Sequence, residues 1–200
     1  MSDVILDFNR DWLVPQNNQD SQLLQQWGFL PGIKEFLMLR QVHALEHATV
    51  WVLSSLKYHQ AQDDESIGGL STEQGFFLYG KINTLQLSKA VKLALNRLQK
   101  GEWNLALHPR CGTNTSVATL LSMGMIFTTH FMLPKEPITQ LLGMGLASMT
   151  ANYVAPEIGM SVQKYLTTAI PFNLQIKEIT QTVDRWGRPA LFIGIEWCNL

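Results

Sequence analysis

The sequence predicts a mainly α-helical protein with a small β component: metal-site helices, a two-helix transmembrane hairpin and a C-terminal β-hairpin. Three observations carry this reading. Residues 34–58, KEFLMLRQVHALEHATVWVLSSLKY, contain no Gly or Pro and are rich in helix formers. Residues 111–133 and 138–155 contain no Asp, Glu, Lys or Arg, and each approaches the ~20 residues that cross a ~30 Å hydrocarbon core. Near the C-terminus Phe172, Leu174 and Ile176 alternate with Asn173, Gln175 and Lys177, and Leu191, Ile193 and Ile195 repeat the period of two.

Composition narrows the function classes. The formal net charge of the 200 residues is −1, which leaves no basic face for a phosphate backbone and excludes nucleic acid as a partner. Charged side chains make up 16% of the chain, against roughly 25% in soluble domains, and the deficit is concentrated in the two uncharged stretches. Cys111 and Cys198 cannot build a disulfide framework, so the chain reads as intracellular, or at least as independent of an oxidising compartment. Its first thirty residues carry acids, a proline and a Gln/Asn tract where a signal peptide needs a basic start and an apolar run. They read as a loosely ordered arm.

Four regions follow: the arm over 1–30, a helical region over 31–110, the helical hairpin over 111–166 and the β-hairpin over 167–200. Pro31-Gly32 breaks the chain before the first long helix. Residues 59–69 form an acidic polar loop, with His59 solvated within it, and LSTEQGFFLYGKI reads as two short strands or an irregular hairpin. A second helix runs from the N-cap candidates Asn83 or Thr84 to Lys100, with Gly101 suited to the position just beyond its end. Pro134-Lys135-Glu136-Pro137 links the two uncharged helices. Arg97, Lys100 and Arg110 before the hairpin and Lys164 after it place both termini and the metal site on the cytoplasmic side. The competing reading makes the uncharged segments buried helices of a globular core, because both contain Thr, Ser, Gly, Asn or Gln. His130, late in the first of them, reads as an interfacial or helix–helix hydrogen-bonding residue.

Two clusters carry the chemistry. On a helix His43 and His47 lie one turn apart on one face, with Glu46 beside them. Two imidazoles at that spacing can take adjacent positions on one metal ion, and the carboxylate can accept a proton from water on the metal. The order H-x-x-E-H is the inverse of the zinc-peptidase helix motif. The plainer alternative is a polar pair on a helix face, with Glu46 paired to Arg40 one turn before. The second cluster, His108-Pro109-Arg110-Cys111-Gly112-Thr113, sets an imidazole and a thiol on one tight turn. Thr113 or Asn114 can cap the helix that follows. Cys111 at that helix N-terminus, beside Arg110, is expected to have a lowered thiol pKa and to ligate as thiolate. A reactive thiol and a simple buried cysteine remain alternatives.

HALEH followed by LHPRCGTN resembles an uncharacterised bacterial family of metal-dependent membrane proteins whose members carry H-G-A-E-H-K and H-P-R-C-G-T. The second motif is matched without gaps at His108–Thr113. In the first, Ala44 and Leu45 replace Gly-Ala, and Ala48 stands where the family has Lys. The GGLST…LYG stretch and the C-terminal hairpin look like a cyanobacterial and plastid-type subgroup. The resemblance covers roughly residues 35–155 and implies a metal and a membrane, without a substrate.

The expectation is therefore a divalent metal, zinc by ligand type, held by His43, His47 and His108, with Cys111 as fourth ligand or close neighbour. A membrane-associated, peptidase-like hydrolase with Glu46 as general base, embedded in a lipid bilayer, is the first functional reading. A non-enzymatic membrane protein with a closed structural zinc site, serving assembly or interaction, is the second.

Overall fold

The computed structural model describes residues 19–58 and 64–198; His59 and most of the N-terminal arm lie outside them. Its helices are α1 (Gln19–Trp27), α2 (Ile33–Tyr58), α3 (Thr84–Gln99), α4 (Gly112–Met132) and α5 (Pro137–Val162). Four strands, β1 (Gly68–Thr72), β2 (Gly75–Tyr79), β3 (Leu174–Val183) and β4 (Pro189–Trp197), complete the fold. The mainly helical expectation with a small β component therefore holds.

α2 is the spine, 26 residues long, or roughly 39 Å at 1.5 Å per residue. It is apolar on most sides because it is covered on most sides: Val42, Leu45, Ala48 and Val52 join one core with Leu87, Val91 and Leu98 of α3 and Phe76, Leu78 and Ile193 of the sheet. α3 begins where Asn83 Oδ1 accepts the amide protons of Leu85 and Gln86 at 2.9 and 3.2 Å. That satisfies two of the donors a helix start leaves open. Gly101, at φ 97°, turns the chain away in the left-handed region glycine alone enters cheaply.

The last part of the expected arm is structured. α1 docks through Asp20, whose carboxylate accepts from the Arg40 guanidinium at 3.0 Å with both side chains buried. A buried charge needs such a partner. The contact also removes Arg40 from Glu46, so the alternative pairing read from the sequence does not form.

The expected C-terminal β-hairpin exists but does not stand alone. The sheet is antiparallel in the order β1-β2-β4-β3, with Phe76 opposite Ile193 and Ile176 opposite Ile195. An isolated two-stranded hairpin is marginal in water; here β4 lies inside the sheet and buries Ile193 against α2. The turn between β3 and β4 is tied to β2 through Asp184, which accepts from the Trp186 and Arg188 amides, the Arg188 guanidinium and the Tyr79 hydroxyl. Burial pushes that carboxyl up, but the Arg188 and Tyr79 hydrogen bonds prevail and hold it at about 2.

α4 and α5 form the expected antiparallel hairpin. Small residues of α5 at four-residue spacing, Ala147, Ala151, Ala155 and Gly159, are buried against α4. A side chain at Gly159 would collide with Asn114. At the tip, His130 Nδ1 lies 3.0 Å from Gln140 Oε1, so His130 makes the helix–helix hydrogen bond anticipated for it. The transmembrane part of the expectation is corrected: no helix among the described residues is long and apolar enough to cross a membrane. The helices have 21 and 26 residues, but Thr, Ser, Asn, Gln and Gly dilute their apolarity. Nor are they buried core helices: none of the side chains of α4 is buried, and α5 buries one strip while Leu141, Leu146 and Tyr153 stay exposed.

Candidate metal centre

α2 presents His43, Glu46 and His47 on one face, as 3.6 residues per turn requires. The two imidazole centroids lie 4.3 Å apart. Each ring is oriented by a main-chain carbonyl: His43 Nδ1 donates to Thr167 O at 3.0 Å, and His47 Nδ1 donates to Ala106 O at 2.7 Å. A proton held on Nδ1 leaves the Nε2 lone pair available, which is how metal-binding histidines are prepared. The chain supplies these carbonyls from a 3-10 turn (Trp103–Ala106) before the HPRC segment and a π-helical turn (Gln163–Thr167) that ends α5.

Cys111 arrives from the other side as the N-cap of α4, its sulfur accepting the Thr113 amide at 3.4 Å. Sγ lies 3.2 Å from His43 Nε2. One ligand atom from each of His43, His47 and Cys111 falls within 4.8 Å of the other two, a grouping that could hold a metal ion. The donor set fits zinc chemistry: two oriented imidazoles and a soft sulfur.

His108 sits beside this group and outside it. Its ring centroid lies 5.6 Å from that of His47 and 5.0 Å from that of Trp51. Its Nδ1 accepts the Arg110 amide proton at 3.2 Å, so the proton of the neutral ring resides on Nε2. Gln163, fully buried, clamps this segment: its Oε1 accepts from His108 N at 2.9 Å and its Nε2 donates to His108 O at 3.0 Å.

Glu46 is buried against β1, where its Oε2 accepts the Ser71 hydroxyl at 2.5 Å. Gly69 lies over the same carboxylate, and any side chain there would collide with it. Burial pushes the Glu46 carboxyl above its ordinary value, opposed by the Ser71 hydrogen bond and the His43 imidazole. His47 is held well below the ordinary histidine value, first by burial and then by neighbouring His43 and His108, with the Ala106 carbonyl opposing. The expected lowering of the Cys111 thiol is reversed. Burial raises it, with Glu46 adding to the rise, against the hydrogen bonds from Thr113 and Asn114. Arg110 does not offset this, because its guanidinium turns to the Asp64 and Glu65 carbonyls at 3.1 and 3.4 Å.

All five predicted site residues line one cleft of about 490 Å³, within the range of small-ligand sites. The sequence missed the residues that orient them: Ser71, Gln163 and Thr167. Only the GGLST string flagged the neighbourhood of Ser71, and nothing local to residues 163–167 points to a site in front of them.

Fold and site together define a helical protein with a small antiparallel sheet, carrying a His-His-Cys group, two of its members buried and His43 half-buried, at the base of a helical hairpin. The chain belongs to the family described as a domain of unknown function, DUF6391, whose model matches residues 38–179. It is similar to an uncharacterized protein of Picosynechococcus sp., 47% identical over 195 residues that cover 94% of this chain and 93% of that protein. The resemblance to an uncharacterised bacterial family is thus supported. No solved structure matches significantly.

Proposed function

We propose that this protein is a metal-dependent hydrolase in which His43, His47 and Cys111 hold zinc and Glu46 is the general base. One observation carries the reading: both histidines keep Nδ1 on a main-chain carbonyl, His43 turns Nε2 to the Cys111 sulfur, and one ligand atom of His47 lies within 4.8 Å of both. Three protein ligands facing an open cleft are the pattern of a catalytic zinc site, whereas four make a closed structural one. Zinc held there would supply Lewis acidity and bring the pKa of its water down to ~7. Glu46, fixed by Ser71, then takes a proton from the attacking water and returns it to the leaving group. Its raised pKa suits that exchange, since a base that must also act as an acid works best near the ambient pH.

The closed-site reading rests on the 5.6 Å between the His47 and His108 rings. Cobalt substitution separates the two. With three ligands, Cys111→Ser removes the sulfur-to-cobalt absorption while His108→Ala keeps both the metal and the band. A loss of metal in His108→Ala by more than ~100-fold in affinity, beyond the ~10–100-fold of an indirect partner, establishes His108 as the fourth ligand and ends the open-site reading.

The hairpin suits contact with lipid. Leu120, Phe127 and Phe131 of α4 and Ile138, Leu141 and Leu146 of α5 are each at least 64% exposed, and large exposed apolar surfaces mark membrane or protein contact sites. Both the metal-site end of α4 and the end of α5 lie at one pole, which would keep the site at the membrane surface. Flotation with phosphatidylcholine–phosphatidylglycerol vesicles is expected to carry the protein upward. Protein that stays below the vesicles and sediments as a dimer would assign this surface to a second copy instead.

A further inference from the structure

Resting on the hydrolase reading, we infer that the substrate is an extended polypeptide segment, held by main-chain pairing to the free edge of β1 and presented to His43, Glu46, His47 and Cys111. The argument begins with the sheet order, which leaves β1 at an edge, paired only with β2. Among the described residues, the main-chain groups of Gly68–Thr72 make no hydrogen bond outside that pairing. Every second residue of such a strand directs its N–H and C=O away from the sheet, ready to pair with another chain.

The free edge faces the cleft. Four consecutive strand residues, Gly68, Gly69, Leu70 and Ser71, line it. A strand that turned only one face to the cleft would contribute alternate residues, because successive side chains point to opposite sides. Consecutive lining residues mean that the backbone itself forms the wall. Gly69 lets the strand lie close over the Glu46 carboxylate, which brings the edge beside the reacting centre.

The floor is the face of α2 that carries the candidate ligands, running from Phe36 through Leu39, His43 and His47 to Val50. Those residues span roughly 21 Å of helix at 1.5 Å per residue, the length of about six extended residues at ~3.3 Å each. The metal-site histidines fall in the middle of this span, so the groove extends to both sides of the reacting centre. At one end Phe36 and Leu39 are 41% and 38% exposed, which offers an apolar side chain of the substrate a place to pack. A second cavity of about 240 Å³ shares Leu39, Leu70 and Ser71 and adds Thr72 at the end of β1 and Phe77 of β2. A compact ester or amide would need neither the edge nor the length.

In the reaction the oxygen of water bonds to the peptide carbonyl carbon and the C–N bond breaks. Glu46 carries one proton from the water to the departing nitrogen, and the second passes from the new carboxyl group to the released amine, leaving a carboxylate and an ammonium. No oxidant, reductant or second substrate is required.

Zinc-loaded protein is incubated with a library of end-capped, quenched-fluorescence decapeptides, and the best substrate is resynthesised with a single N-methyl group at each position in turn. Strand pairing predicts period two: methylation at alternate residues on each side of the cleaved bond raises KM roughly tenfold, the worth of one hydrogen bond, and the residues between tolerate it. Cleavage with no such alternation overturns pairing to β1. Cleavage of p-nitrophenyl acetate that depends on Glu46, with no peptide cleaved, overturns the peptide inference and leaves the hydrolase reading standing. A protein that binds zinc but cleaves neither class overturns both.

Discussion

Glu46→Gln is expected to lower turnover by ~10²–10⁴-fold, the worth of a positioned general base, while leaving zinc content unchanged. Glu46 is outside the His43–His47–Cys111 group, so its replacement removes the proton acceptor and leaves the three ligands in place. Gln keeps the length of the side chain and an oxygen for the Ser71 hydroxyl, which now donates to Glu46. Stability should move the other way. The Glu46 carboxyl is raised by burial, so the native state holds its proton more tightly than the unfolded chain does. Its favourable contribution is present below the unfolded value near 4.5 and is lost as pH rises through the folded pKa. At neutral pH the buried carboxylate is therefore a cost, and the metal-free Gln variant should melt at or above the wild-type temperature. Lost activity with retained metal and undiminished melting temperature identifies a catalytic role. Loss of zinc in the same variant would instead make Glu46 part of the metal's support.

His47→Ala is expected to abolish zinc binding. The imidazole is buried, and its Nδ1 is committed to Ala106 O, so truncation removes a ligand that no nearby solvated group can replace. Zinc at 100 times its dissociation constant stabilises a single-site protein by ~2.7 kcal/mol, a rise of roughly 5–10 °C for a chain of this size. Wild type should show that rise in a melting scan and His47→Ala should not. Acidity supplies a second readout. The folded pKa of His47 is lowered, chiefly by burial, so the unfolded chain takes up the proton first. The neutral ring's contribution is complete above the unfolded value near 6.5 and is lost as pH falls from there through the folded pKa. Metal-free wild type should accordingly lose stability below about pH 6.5, and His47→Ala should lose less of it. An unchanged zinc-dependent melting shift in His47→Ala would remove this residue from the site.

The helices and strands were legible because their signals are local. The Gly- and Pro-free run from Lys34, the Asn83 cap and the period of two around Ile176 and Ile193 each depend on residues within a turn or two of one another. The pairing of β2 with β4 was not legible. Phe76 and Ile193 are adjacent in the sheet and far apart in the chain, and neither strand names its neighbour. The uncharged segments misled in one respect. Lack of charge reads as membrane-spanning, yet α4 and α5 fall short in apolarity because the residues that replace charge in them include Thr, Asn, Gln and Gly.

The same division runs through the metal centre. The sequence by itself determined that His43, Glu46 and His47 share a helix face and that His108 and Cys111 share a turn, because helical spacing and a Pro-stiffened segment leave little choice. Only the tertiary structure decided how the two pieces combine. It turned Cys111 to His43, set His108 beside the group with its Nδ1 on a backbone amide, raised the thiol that a helix N-terminus alone would lower, and brought Ser71 to Glu46. The reason is physical: ligand type is a property of a side chain, but lone-pair direction, burial and hydrogen-bond partners come from carbonyls, amides and strands that meet only when the chain has folded.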